Sequence, residues 1–595
     1  MLLLNLKGFY KMVNTSVPLT RDELFSRVPK SNALTYSTFP RDHRHLLACD
    51  ASYMIPILVD EVLPGDIFEL RGRHLNRLLT SVKPFMDNLY ARFIFTYTPT
   101  RLVWDKFKNL MGEKRRPDDP DYTNYEVPML NSGSTGVAVG SIFDFAGITP
   151  GVPNLKFNAL PFRCMNLFYN EFVRDENLQD IRWVGGSGTT DDQKRQSEFG
   201  DSDDINNYSL FRICKKHDYF TSGLPFQQFG PAQTVSIGSR APVLTSAVTD
   251  FSAQGVSPNS NPLYWASAIT GNFYTARGRS LGIHNGVVED PSSMYTATSA
   301  QESSAISFTG ANVVPANLYA DLTSVTGFTI SDFRTSFQIQ AVKELLARMG
   351  HRYKEVVYGE FGVTISDSTL QRPEFLGSYT IPFNIVPVAS TAETADNPQG
   401  NLSAFGYTDN SEHFGFAKAF EEHGYIIGYM VVQTDQTYQQ GLERMWSRER
   451  KFDFYTPLLA DISEQPIKMK ELLAQGADVK DSSDNIVDEK TFNFQEAWAE
   501  YRYKPSRVSG KMRSQVDGTL DIWHLATKFS PTILDGENLG VPYNSDFIQD
   551  NTRETLERVL AVKDEPQIES DNYFFYKCTR EMPIYSVPSY LLGRL

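Results

Sequence analysis

Cysteine is scarce in this chain. Cys49, Cys164, Cys214 and Cys578 are the only four in 595 residues, they lie far apart, and no CxxC pair occurs. That distribution argues against a disulfide framework and against a thiolate zinc site, and it suits synthesis in a reducing cytoplasm. Positive charge is also short: 57 lysines and arginines face 71 aspartates and glutamates, for a formal net charge of -14. A dedicated nucleic-acid binder carries a basic domain. Any nucleic-acid contact here is therefore local, and an acidic protein that touches no nucleic acid fits the charge as well. No run approaches the length of about 20 apolar residues that a membrane-spanning helix needs. The start has Leu2, Leu3 and Leu4 but no basic stretch before them and no small-residue cleavage site. It does not read as a signal peptide, and Met12 is an alternative start.

Catalytic signatures are missing too. There is no HExxH, GxSxG, Walker loop or GxGxxG. The run Gly185-Gly186-Ser187-Gly188-Thr189-Thr190 is glycine-rich, but no Lys-Ser/Thr pair follows and Asp191-Asp192 would repel phosphate, so it reads as a surface loop. Cys214 and His217 flank two lysines, which favour a thiolate. A nucleophile and its base usually come from distant segments, however, and no oxyanion-hole signature accompanies them. Asp60, Glu61 and Asp66 flank Pro64-Gly65 and read as solvated turn carboxylates before cation ligands. His43 and His45 sit in a polar surface run. No catalytic residue, metal site or cofactor is assigned.

What is present is an ordinary globular composition, 41% hydrophobic and 22% charged. The 40 Phe and 29 Tyr favour strands and large contact surfaces, and 39 Gly with 32 Pro predict many turns. Met54 to Arg71 reads as extended chain bent at Pro64-Gly65, a dipeptide suited to a type II turn. In Leu89 to Thr98, Phe93, Phe95 and Tyr97 fall on one face of a strand, and Tyr425, Ile427, Tyr429 and Val431 alternate in Gly424 to Val432. Arg101 to Met111 carries a helical stripe ending at Gly112, and a second helix begins at Pro161 with Leu167, Phe168 and Phe172. The clearest helix is Ser331 to Gly350, with Phe337, Val342, Leu345, Leu346 and Met349 as its apolar face. Strands separated by long loops, with few helices, point to a mainly β jelly roll with long insertions.

The zone from Pro231 to Thr329 has another texture. It is rich in Ser, Thr, Gly, Ala and Asn, and no lysine occurs between Lys216 and Lys343. Tyr264, Trp265, Phe273, Tyr274 and Tyr319 punctuate it, which favours an ordered surface insertion of short strands over a long tethered loop. The stretch Pro583 to Leu595 is proline- and aromatic-rich without a helical period and reads as an extended arm lying on a neighbouring copy.

The basic tract is the strongest binding candidate. Tyr501, Arg502, Tyr503, Lys504 and Arg507 continue through Lys511 and Arg513 with no acidic residue after Glu500. Cations interleaved with rings suit single-stranded nucleic acid, where phosphates meet charge and bases stack. Arg444, Trp446, Arg448, Arg450 and Lys451 form a second, weaker cluster. An edge defended by charge, or an ionic surface between subunits, explains the tract equally well.

Ordered peptides then carry a resemblance. They include Met54-Ile-Pro-Ile-Leu-Val-Asp-Glu-Val-Leu-Pro-Gly-Asp66, Leu160-Pro-Phe-Arg163, Arg174-Asp-Glu-Asn-Leu178 and Lys215-Lys-His-Asp-Tyr-Phe-Thr-Ser222. Leu370-Gln-Arg-Pro-Glu-Phe-Leu-Gly377, Thr437-Tyr-Gln-Gln-Gly441, Arg444-Met-Trp-Ser-Arg448, Glu500-Tyr-Arg-Tyr-Lys-Pro505 and Tyr585-Ser-Val-Pro588 follow. Together they resemble the major capsid proteins of the Microviridae, in particular the gokushovirus branch. The resemblance implies a single eight-stranded viral jelly roll and a T=1 icosahedral shell enclosing circular single-stranded DNA, in a virion assembled in the host cytoplasm. It also implies a small basic DNA-binding protein as partner, and a host-cell receptor met through a threefold protrusion. By position that protrusion is 231-329, between core segments 25-230 and 330-582; residues 1-24 are an extension and 583-595 the arm. A jelly-roll protein that binds or cleaves carbohydrate is the alternative. If the insertion is a separable module, replacing residues 245-320 with a short Gly/Ser linker leaves assembly intact and abolishes attachment to cells. Electron microscopy and an adsorption assay check the two outcomes separately, and insoluble protein would place the zone in the core.

Overall fold

The computed structural model describes residues 36-184, 203-231 and 330-584, apart from 115, 121, 394-397 and 461, together with the backbone of short strands between 243 and 320. The glycine run at 185-190, residues 1-24, the arm from Tyr585 onward and the rest of the middle zone lie outside the described residues. The chain divides into two compact units, Gln228–Leu345 and the remainder.

The larger unit is built on one curled antiparallel sheet of ten strands: β1 (Tyr36–Pro40), β2 (His43–Cys49), β3 (Ile55–Val62), β4 (Ile67–Ser81), β5 (Leu89–Pro99), β6 (Glu374–Ala389), β7 (Leu402–Thr408), β8 (Glu412–Ala419), β9 (Gly424–Thr434) and β10 (Ile568–Glu581). β1 and β2 lie end to end along β10, and β7 and β8 lie end to end along β4, so ten segments fill eight ranks. Numbered along the chain, ranks 1-8-3-6 form one half and ranks 2-7-4-5 the other, joined where β6 pairs with β7. That is jelly-roll connectivity, as the strand pattern predicted.

Local chemistry explains the joints. Leu63 to Asp66 form the type II turn expected from Pro64-Gly65: Gly65 has φ +90°, and Asp66 N–H donates to Leu63 O at 3.1 Å. A side chain at Gly65 would be strained there. β4 alternates buried and outward residues, as a strand with one covered face should. β5 and β9 do not. Phe93, Phe95 and Tyr97 share the jelly-roll core with Ile426, Met430, Val432, Phe68 and Phe574. On the opposite face Ile94, Tyr425, Ile427, Tyr429 and Val431 enter a second core. Helix α1 (Leu160–Phe168) supplies much of that second core, starts around Pro161 as predicted, and runs on into a π-helical turn, Tyr169–Val173.

Two helix predictions need correction. Arg101 to Met111 is broken into a 3-10 turn, Thr100–Leu102, and one helical turn, Phe107–Leu110. Val103 and Trp104 both donate to Thr100 O, and the chain bends there to bury the Trp104 indole completely. Helix α2 (Ile330–Met349) exists with nearly the predicted ends, but Phe337, Val342 and Leu345 are exposed rather than packed on this chain. Within the smaller unit, strand Tyr264–Ser267 pairs with Phe273–Thr275 and Val313–Pro315, and Ser293–Thr298 pairs with Glu302–Ser307.

A directed chain of hydrogen bonds crosses the jelly-roll core. Asn572 Oδ1 can only accept, so the His74 hydrogen sits on Nδ1, 2.6 Å away, and Tyr379 O–H donates to Nε2 at 2.5 Å. Asn572 then donates to Ser570 Oγ, which donates to Asn76 Oδ1 at 2.5 Å. The His74 ring stacks on Phe93 with centroids 3.8 Å apart. A Cβ at Gly72 would collide with Tyr379 Oη and His74 Nε2, so the close approach requires glycine. Burial pushes the His74 imidazole down to about 4, against about 6.5 in an unfolded chain. A depressed pKa contributes stability that is present above pH 6.5 and lost as pH falls through 4, roughly 3 kcal/mol in all. The Tm of the wild-type subunit should fall between pH 6.5 and 4; His74→Gln should lower Tm at pH 7 and flatten that slope, measured by calorimetry.

Candidate nucleic-acid interface

Between β9 and β10 the chain leaves the sheet and folds on a third apolar core that includes Tyr219, Tyr438, Ile467, Leu472, Phe492 and Phe547. Two limbs of this insertion meet. Thr437–Tyr438 pairs in parallel with Ser506–Arg507, Val508 N–H donates to Tyr438 O at 3.1 Å, and Ser514 N–H donates to Gln439 Oε1 at 2.7 Å. Upstream, buried Trp498 takes a left-handed backbone (φ 63°) and donates its indole N–H to Leu459 O at 2.8 Å. That reversal opens the 3-10 turn Ala499–Tyr501 and turns the tract outward.

Tyr501, Tyr503, Lys504, Arg507 and Arg513 share this surface, whereas Arg502 and Lys511 do not line it. Tyr501 and Tyr503 are about half exposed, at 52% and 51%. Arg502 pairs with Glu496 at 2.9 Å, while Lys504 (3.1 Å) and Arg507 (2.9 Å) share the carboxylate of Glu443. Lys511 is exposed, and Arg513 Nε donates to Val508 O at 3.2 Å. The stretch is free of acid in sequence but not in space, because the preceding limb and strand supply Glu443 and Glu496. The second cluster docks on the first: the Arg448 guanidinium lies 4.4 Å from the Tyr501 ring centre and donates to Glu500 at 2.9 Å. Arg444 stands between Glu500 (3.9 Å) and Glu471 (3.7 Å), and Trp446 is 67% exposed. Arg450 and Lys451 point to solvent.

Arg444, Trp446, Arg448, Tyr501, Tyr503, Lys504, Arg507 and Arg513 line a half-open cavity of about 260 Å3, with Tyr219 and Glu471 also in its lining, while Arg502, Lys511, Arg450 and Lys451 stand outside it. Glu471 is buried; desolvation pushes its carboxyl up, against the pull of Arg444, and it accepts the Tyr219 hydroxyl at 2.9 Å. Burial opposes the Arg444 charge, yet Glu471, Tyr219 and Glu500 hold its pKa above the ordinary value. Five cations against three carboxylates line the cavity, so it is locally positive in a chain of net charge -14. Charge partners that arrive from another limb have no signature in a linear run, which is why Glu443 and Glu471 escaped the sequence analysis.

The remaining candidates resolve structurally. Cys214 Sγ donates to Val173 O at 3.1 Å, and burial pushes the thiol up to about 12, the reverse of an activated nucleophile. Asp60 accepts from Arg41 and from Tyr576 O–H, and Asp66 pairs with Arg580 at 2.6 Å. Among the described residues no cluster of three His, Cys, Asp or Glu side chains suits a metal, and no helix is long and apolar enough to cross a membrane.

The sequence profile of a family described as capsid protein (F protein) matches residues 26–590. The chain belongs to that family. Its similarity to curated capsid proteins runs nearly end to end. Capsid protein VP1 of Chlamydia phage 1 is 38% identical over 602 residues, covering 96% of this chain and 98% of that one. Capsid protein VP1 of Bdellovibrio phage phiMH2K is 35% identical, with 95% and 97% covered, and that of Spiroplasma virus 4 is 34% identical, with 94% and 96% covered. The Microviridae resemblance drawn from the peptides therefore holds. Membership in a capsid family implies a structural, non-enzymatic role, an oligomeric shell and a place in the virion.

In this capsid chain the shared carboxylate is the tunable element. Exposed ion pairs are worth about 0–1 kcal/mol, so Glu443 restrains Lys504 and Arg507 without locking them. Glu443→Gln should leave the fold unchanged, raise single-stranded DNA affinity at low salt, and steepen the log-affinity against log-salt slope by up to about 0.7 per released cation. Fluorescence anisotropy titrations at several salt concentrations measure this. An unchanged slope would mean that neither cation reaches phosphate.

Proposed function

We propose that the chain is the major capsid protein of a T=1 icosahedral shell that encloses circular single-stranded DNA and is assembled in the host cytoplasm. The near end-to-end match to phage capsid proteins carries this reading. The DNA assignment rests on the convergence of Tyr501, Tyr503, Lys504, Arg507 and Arg513 with Trp446 and Arg448 on one surface, and Arg502 and Lys511 join it as members of the same basic tract. Rings and cations placed so serve bases and phosphates together. Because the chain is acidic as a whole, it neutralises little of a genome's charge, which leaves room for a small basic DNA-binding protein as partner. Segment 231-329 is assigned as the protrusion that meets the host-cell receptor and 583-595 as an arm on the neighbouring subunit.

Purified chain should form closed particles of uniform size in negatively stained micrographs. Changing Arg502, Lys504 and Arg507 together to Gln deletes charge while keeping size. The expected product is shells of normal geometry that are empty or poorly filled and release DNA at lower salt. Shells that package normally but fall apart would instead identify the tract as an ionic surface between subunits.

A further inference from the structure

The segment just after the second basic cluster turns its apolar side chains to solvent. Phe452, Phe454, Tyr455, Leu458 and Ile462 follow one another between Lys451 and Glu464, and each is exposed: Leu458 by 94%, Phe452 by 71% and the others by 44–51%. At about 150–250 Å2 for a whole aromatic side chain, their exposed shares come to roughly 600 Å2. Single surface leucines are ordinary, but an apolar stretch of that size marks an interaction site.

The backbone beneath is fixed. Asp453 accepts the amides of Arg450 at 2.7 Å and Glu449 at 2.9 Å, which closes the 3-10 turn Lys451–Asp453. Leu459 N–H donates to Thr456 O at 2.8 Å in a second turn, Pro457–Leu459, and Leu459 O takes the Trp498 indole N–H. Tyr455 packs edge-on against Trp498 with centroids 5.6 Å apart, and the Arg448 guanidinium lies 5.8 Å from the Phe454 ring centre. The segment is thus a strap held from below, with its large side chains left outside. A partner that covers it does not have to order the chain first.

Charge decides the kind of partner. No lysine or arginine lies between Lys451 and Lys468, whereas Asp453, Asp461 and Glu464 do. The amides of Arg450 and Glu449 keep the Asp453 carboxyl below the usual carboxylate range. The strap's own charges are all negative, which repels a phosphate backbone, and Leu458 and Ile462 offer no ring to a base. A protein suits it better. A specific contact between proteins buries at least about 500 Å2 on each side, and the strap supplies that alone. Membership in a capsid family implies an oligomeric shell, in which the neighbour is a second copy of this chain.

We propose that the strap from Phe452 to Ile462 is a contact surface between copies of this chain, with Phe452 and Leu458 entering an apolar recess of the neighbouring subunit. This rests on the reading that the chain assembles into a shell, and it separates the surface that joins subunits from the basic surface that meets DNA.

Hydroxyl-radical footprinting of the full-length wild-type chain tests the contact, with dissociated subunits, closed shells emptied of DNA and filled shells compared. Phe452, Tyr455 and Leu458 should be oxidised in the subunit and severalfold less in both kinds of shell. Equal oxidation in subunits and shells would overturn the proposal. Protection in filled shells alone would make nucleic acid the occupant and overturn it too. The double variant Phe452→Ser, Leu458→Ser should raise the subunit concentration needed for shell formation by about tenfold or more, with Tm and single-stranded DNA affinity unchanged. Normal assembly of this variant would overturn the proposal, and a variant that circular dichroism shows to be unfolded would place the strap in the subunit's own core instead. If the wild-type chain forms no shell, the assembly reading itself fails and the strap contact falls with it.

Discussion

The structure depends on a pair of neighbouring strands that have no wet side. β9 is buried at every residue, and β5 nearly so, because each closes the jelly-roll core on one face and the second core on the other. Each fully buried large apolar side chain adds about 1.5–3 kcal/mol, so this pair draws on two cores at once. It also positions the candidate site. β9 ends at Thr434, whose amide donates to Thr552 Oγ1 and whose hydroxyl donates to Asn88 O. The next residues but two are Thr437 and Tyr438, which hold the basic tract. A rigid sheet thus sets where a surface loop places its rings.

What could be read from the sequence follows from locality. The turn at Pro64-Gly65, the common face of Phe93, Phe95 and Tyr97, and the start of α1 near Pro161 are short-range effects, and all three are observed. Alternation at Tyr425 to Val431 was legible too, but nothing local revealed that Ile426 and Met430 on the other face were also covered. The stripe from Arg101 to Met111 misled because burying one indole outweighed helical periodicity. The candidate site was half legible. Its cations lie together in the chain, whereas their carboxylates come from Glu443, on the opposite limb, and from Glu496.

The site joins two kinds of electrostatics. Deep in the cavity, Glu471, Arg444 and Tyr219 form a desolvated group whose members constrain one another. At the rim, one carboxylate holds two cations in high dielectric, where exchange for another anion costs little. The inner group fixes shape and the outer group stays adjustable, so the rim can change its ionic partners without refolding the loop.

Finally, β10 sits between β1/β2 and β4, pairing residues such as Tyr36 and Glu581 that are 545 positions apart. It is the last rank in chain order, and it fills a slot bounded by the first and third. Until it emerges from the ribosome, both bounding strands present unpaired edges, and contacts this distant make closure slow. A nascent subunit therefore cannot complete its sheet early. Until Ile568–Glu581 has been made and inserted, the slot between the first and third ranks stays empty and the sheet lacks the surface of a closed tile.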